Sequence, residues 1–204
     1  MKSMLKEAAI LFVITLISGC LLGLVYDVTK EPIEKAQAAA KEEASKEVFA
    51  DAASFVLRED INSETATAVV TEAGFKVTID EVSEALDAGG ALLGYVITVT
   101  DHEGYGGDIQ FSVGIRNDGT LNGISILQIS ETAGLGMKAD PVLKEQFAGK
   151  NAAQFSYTKT GAASEDQIDA ISGATITTNA VVNGVNAGLT YFQTELTEGG
   201  SGNE

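Results

Sequence analysis

The chain has 204 residues, 45% hydrophobic and 21% charged, a composition and length that support one compact domain with extra segments at its ends rather than two full domains. A formal net charge of −16 with no dense Lys or Arg run removes the electrostatic basis for nucleic-acid binding. One cysteine, Cys20, and one histidine, His102, exclude a disulfide framework, a Cys-ligated cluster and a His-rich metal site within the chain, so redox chemistry here would need an organic cofactor or a partner's carrier.

In chain order the first signal is Ala8 to Val25, which contains no charged residue. At a rise of about 1.5 Å per residue this run makes a helix of roughly 27 Å, close to the hydrocarbon thickness of a bilayer. Lys2 and Lys6 precede it and Asp27 follows, so the positive-inside rule places the amino terminus in the cytoplasm. The bulk of the chain then lies outside, in a single-pass protein of a bacterial inner or plasma membrane. Two other readings stand beside this one. Ile17-Ser-Gly-Cys20 looks like a lipoprotein cleavage site that would leave Cys20 lipidated, although the apolar run continues through Val25. A buried core helix is the third, and it leaves the charge asymmetry unexplained.

Residues 1–27 are thus read as the anchor and 28–60 as a helical stalk. Thr29-Lys-Glu-Pro32 supplies an N-cap candidate followed by proline, and Ile33 to Phe49, rich in Ala, Glu and Lys, predicts a second, solvated helix. From about Thr65 the pattern turns to period two, with strands expected at Ala68 to Val70, Phe75 to Ile79, Leu93 to Thr100, Ile109 to Ile115 and Gly123 to Ile129. Turns separate them at Glu72 to Gly74, Asp87 to Gly90, Gly104 to Gly107 and Asn117-Asp-Gly119, the last being the strongest hairpin signal. Strands that follow one another without intervening helices predict a largely antiparallel sheet. A short helix opened by Asp140 and proline is expected over Pro141 to Phe147, and a final one over Ser172 to Thr194, capped by Ser172, with Ala180, Val181, Val185 and Leu189 on its apolar stripe. The fold class is therefore α+β, a transmembrane helix followed by a largely antiparallel sheet with flanking helices. The domain covers 61–194, and a tail over 195–204 is expected to be disordered.

Three glycine-rich stretches carry the chemistry candidates: Gly104-Tyr-Gly-Gly107, Glu131-Thr-Ala-Gly-Leu-Gly136 and Ser172-Gly-Ala-Thr-Ile-Thr-Thr178. Glycine permits positive φ and close approach of backbone to a ligand, yet each stretch alone reads equally as a turn. The third opens a helix, where unpaired N–H groups attract an anion such as phosphate. Thr175, Thr177 and Thr178 are β-branched residues at that start, so a Ser/Thr-rich cap and an anion site remain equal alternatives.

Asp169-Ala-Ile-Ser-Gly-Ala-Thr175 looks like the recognition motif of a flavin transferase, matching it at each fixed position. On it, the chain resembles the FMN-binding domain family over roughly Leu93 to Thr190, and in length and single-anchor layout it is similar to the G subunits of Rnf electron-transport complexes. The C subunits of sodium-pumping NADH:quinone reductases are related, longer relatives. The resemblance implies covalent FMN, bound to Thr175 through its phosphate by a flavin transferase that uses FAD as donor, releases AMP and itself requires Mg²⁺. Asp169 then serves transferase recognition, with helix capping as its alternative. Glu131-Thr-Ala-Gly-Leu-Gly136 is similar to a family loop that usually carries proline where Ala133 stands, a departure that removes a φ restraint. The implied cofactor contacts are Tyr105, Gly106, Glu131, Thr132, Gly134, Leu135, Lys150, Ser172, Gly173, Ala174 and Thr178. Tyr105 reads equally as a surface turn residue, and Lys150 as a solvated lysine.

The resemblance implies an electron-relay subunit of an ion-translocating ferredoxin:NAD oxidoreductase, working with membrane and peripheral partner subunits and not catalytic alone. A single membrane helix makes no ion pathway, so pumping belongs to those partners. A lipid-anchored flavoprotein passing electrons to external acceptors, and a non-redox exported adhesin or scaffold, are the rival readings.

Overall fold

The structure, a computed structural model, describes residues 2–197, and the chain divides into one unit up to Ala40 and another from Lys41. The first unit is helical throughout its described residues as part of α1 (Lys2–Val48). Phe12, Leu16 and Leu22 are more than half exposed, and none of the apolar span is buried within the chain. That removes the core-helix reading and leaves a helix long and apolar enough to cross a membrane. The expected break at Thr29 to Pro32 does not occur. Thr29 donates its hydroxyl back to the Val25 carbonyl at 2.8 Å rather than capping a new helix, and Pro32 lies inside α1. Good helix formers on the Pro32 side toward Val48 sustain the helix, and proline there removes a single N–H.

The second unit is built on a five-stranded sheet in chain order: β1 (Ser54–Leu57), β2 (Val77–Leu86), β3 (Leu92–Asp101), β4 (Ile109–Arg116) and β5 (Leu121–Gln128). Every neighbour pair is antiparallel, as the uninterrupted run of strands predicts. Asn117-Asp-Gly119 does turn β4 into β5, with Gly119 at φ +81°. The strand expected at Ala68 to Val70 is instead part of α2 (Ser63–Glu72), because Asn62 caps its start by accepting from the Glu64 N–H at 2.7 Å. β2 runs well beyond Ile79 despite its acidic residues, since the Asp80 carboxylate is satisfied by the Thr100 hydroxyl and the Gln110 amide. The sequence pattern does not show β1.

The two faces of the sheet are filled differently. Ile97, Val99, Phe111 and Val113 form one face, fully buried beneath α4 (Thr175–Tyr191). A Cβ on Gly184 would lie 2.5 Å from the Phe111 ring, and one on Gly188 3.7 Å from Val113, so these two glycines seat the helix on the strands. The opposite face meets the last turns of α1. A Cβ on Gly114 would sit 2.8 Å from Val48, and Val48, Phe49, Ala85 and Val96 form a small apolar cluster there.

Beyond β5, a short 3-10 turn (Gly136–Lys138) leads into α3 (Ala139–Phe147), which buries Leu143 and Phe147. Its start is not capped by Asp140; no side chain caps it. β6 (Ser156–Thr158) and β7 (Gln167–Asp169) make a two-stranded parallel pair that the sequence pattern does not show either. Residues Phe192–Leu196 form a π-type turn, so the start of the expected tail is ordered, whereas 198–204 lie outside the described residues.

Candidate functional site

The three glycine-rich stretches converge on one cleft of about 500 Å³ at the amino-terminal end of α4. Tyr105 comes from the first stretch; Glu131, Thr132, Leu135 and Gly136 come from the second; residues 173–177 come from the third. Tyr105, at 70% exposed, and the partly exposed Leu135 and Ile176 give the opening an apolar rim. The size and mixed lining suit a cofactor with a flat apolar part and a polar end.

Two of the three loops are held by their own backbone. Ile171 accepts from the Ala174 N–H at 3.0 Å across a turn in which Gly173 takes φ +78°. The Thr132 carbonyl accepts from the Leu135 N–H at 3.1 Å and from the Met137 N–H at 3.3 Å, so the 131–136 loop is tied without the proline that Ala133 replaces.

The helix start resolves the three threonines into three roles. Ala174, not Ser172, is the N-cap residue, and no side chain caps the helix; Ser172 is exposed in the preceding turn. The first amides of α4 are thus left without a capping side chain, as an anion site requires. Thr178 is fully buried, donates to the Ala174 carbonyl at 3.0 Å and accepts from the Ile171 N–H at 3.1 Å, pinning the turn. Thr177, 1% exposed, donates to Glu131 Oε2 at 3.0 Å. Thr175 is half-buried, and its hydroxyl makes no hydrogen bond among the described residues. It also borders a second, smaller groove of about 320 Å³, shared with Glu103, Tyr157, Ile176 and Asn179.

Glu131 is buried, and its carboxylate is occupied on both sides: Oε1 accepts from the Gly106 N–H at 3.1 Å and Oε2 from Thr177. Gly106 therefore reaches the site through Glu131 rather than lining it, and Gly134, at φ +79°, does not line it either.

Ser172 and Thr178 do not line the cleft, and Lys150 lies away from it. Lys150 pairs with Leu121 beside β5, donates its ammonium to the Gln167 carbonyl at 2.9 Å and does not line the cleft, which argues against the expected phosphate contact. Asp169 ends β7, where its carboxylate accepts from the Ala162 N–H at 2.6 Å; it caps no helix. Conversely, Gly136, Ile176 and Thr177 line the cleft and are not among the expected contacts. All three lie within the glycine-rich stretches, but neither spacing nor periodicity distinguishes a glycine beside a buried carboxylate from one in a turn.

Comparison with known proteins places these features in a lineage. Residues 104–190 match the FMN-binding domain family, and residues 1–48 match the RnfG N-terminal region. The chain is 34% identical over 196 residues to the G subunit of the Na(+)-translocating ferredoxin:NAD(+) oxidoreductase complex of Acetobacterium woodii, covering 94% of this chain and 93% of that protein. Against the G subunit of the ion-translocating oxidoreductase complex of Methanosarcina acetivorans it is 31% identical over 198 residues, covering 95% and 97%. A crystal structure of the C subunit of the Na(+)-translocating NADH-quinone reductase of Parabacteroides distasonis aligns at a TM-score of 0.49 and 23% identity, covering 72% of this chain and 78% of that one. The full-length similarity, with amino-terminal region and FMN-binding domain in the same order, makes this chain a member of the family of G subunits of ion-translocating oxidoreductase complexes.

Proposed function

We propose that this chain is the electron-relay flavoprotein of a membrane complex coupling ferredoxin oxidation and NAD reduction to ion translocation, and that its FMN is bound through a phosphoester to Thr175. The observation that carries the attachment is the sorting of the threonine hydroxyls. Those of Thr177 and Thr178 are buried and engaged in hydrogen bonds, whereas Thr175 lines the cleft with a hydroxyl that makes no hydrogen bond among the described residues. A phosphodiester there meets the uncapped amides and the positive end of α4. Tyr105, Leu135 and Ile176 offer apolar surface to a flavin ring, and FMN supplies the ability to exchange one or two electrons. Asp169, exposed on β7 six residues before Thr175, serves recognition by the flavin transferase.

The lysines before the apolar span and the acidic residues after it support a cytoplasmic amino terminus and a flavin domain outside the membrane. Covalent attachment suits that position, since a dissociated FMN would be lost there. The partners are the other subunits of the complex, which provide the ion pathway.

The test is a denaturing gel of the full chain made together with a flavin transferase, viewed under ultraviolet light and followed by peptide mass analysis. Fluorescence should survive denaturation, fall on the peptide containing Thr175 and disappear in Thr175→Val. A label on Thr177 or Thr178, or a fluorescent Thr175→Val protein, would refute the assignment.

A further inference from the structure

Glu131 stands out as a carboxylate that is 8% exposed and yet has no cationic partner: none of the ion pairs among the described residues includes it. A buried carboxylate is costly unless its oxygens accept hydrogen bonds, and here both do, from groups on the other two loops of the cleft. Its neighbours are built around it. A Cβ on Gly136 would approach Glu131 Cβ to 2.7 Å and Oε2 to 2.8 Å, and one on Gly104 would approach Oε1 to 2.9 Å. Glycine at these points therefore makes room for this side chain. The start of α4, on which Thr177 sits, presents its positive end nearby.

We propose that Glu131 is the positioning residue of the cleft: it clamps the 104–107 loop, the 131–136 loop and the first turn of α4 together, and its uncompensated negative charge makes the bound flavin harder to reduce. The clamp follows from the two hydrogen bonds, each joining Glu131 to a different segment. The electrostatic part rests on the attachment of FMN at Thr175: reduction adds negative charge to the flavin, and a buried carboxylate on the cleft lining repels it more strongly than a solvated one would.

The experiment compares Glu131→Gln and Thr177→Val in the full chain in detergent. Glutamine keeps the shape but removes the charge that strengthens both hydrogen bonds, and puts an NH2, which cannot accept, in place of one oxygen; valine breaks one hydrogen bond and leaves the charge. Amide hydrogen exchange in Glu131→Gln should quicken roughly tenfold or more at Gly106, and also in the 131–136 loop and the first turn of α4, with the centre of β3 and β4 unchanged. Quickening confined to one of the three segments overturns the clamp. In flavinylated protein, the flavin midpoint potential should shift to more positive values in Glu131→Gln and clearly less in Thr177→Val. Equal shifts, or none, overturn the charge effect. Peptide mass analysis is made first. If Thr175 carries no flavin, the attachment and the electrostatic effect that rests on it fall together, while the exchange arm, read without flavin, still decides the clamp.

Discussion

The two ends of the contact between α4 and the sheet are made of different material. In the middle of the helix, Gly184 lies tight against the Phe111 ring and Gly188 faces Val113, and both of these strand side chains are apolar and fully buried. At its start, Thr177 and Thr178 spend their hydroxyls on Glu131 and on the turn at Ile171 to Ala174, leaving Thr175 open to the cleft. The middle holds the helix in place by packing, which needs no particular chemistry. The start is held by directional hydrogen bonds, which fix where one unengaged hydroxyl and a set of free amides point.

That contrast can be broken from either side. The largest expected effect is on the packed middle: Phe111→Ala should cost ~3–5 kcal/mol in urea unfolding, because a fully buried ring is lost and the helix cannot collapse onto the gap. Flavin attachment to the folded fraction should persist, and its selective loss without destabilisation would contradict the division of roles. Gly136→Ala should cost ~1–3 kcal/mol by the same measurement, since the added methyl meets both Glu131 and the Thr177 hydroxyl within 2.7 Å. Here covalent fluorescence on a gel should drop more than stability does, and unchanged loading would show that the cleft tolerates looser loops.

A pH-dependent effect concerns Asp101, two residues beyond Val99 on β3 and therefore on the same side of the strand. It is fully buried; one carboxylate oxygen accepts from the Glu103 N–H at 2.7 Å and the other has no partner among the described residues. Burial pushes its pKa up to about 6 from 3.8. Between those values the folded protein binds more protons than the unfolded chain, so stability rises as pH falls from above 6 toward 4, and the cost of the buried charge is fully present at neutral pH. Asp101→Asn should raise the melting temperature at pH 7.5 and flatten its dependence down to pH 4.5; a steeper dependence in the variant would remove Asp101 as the source.

Much of the fold was legible because alternation and turn residues act locally. The runs at Leu93 to Thr100 and Ile109 to Ile115, with the Asn117-Asp-Gly119 turn, appear as strands and hairpin close to their expected bounds. Ala68 to Val70 misled because a short apolar run carries no decisive period, and the Asn62 cap decided for helix. β6 and β7 escaped because three-residue strands paired in parallel leave hardly any pattern. At the site, the motif ending in Thr175 and the loop from Glu131 to Gly136 were visible as stretches, but the position of Lys150 away from the cleft was not.

By itself the sequence determined the membrane-length apolar helix, the antiparallel order of the central strands and the threonine-rich helix start, since each depends on residues close together in the chain. Only the tertiary structure decided which hydroxyl stays unengaged and which carboxylate joins the loops. Glu131 and Thr177 are far apart in sequence, and their hydrogen bond exists solely because the sheet and α4 bring the two segments to the same place.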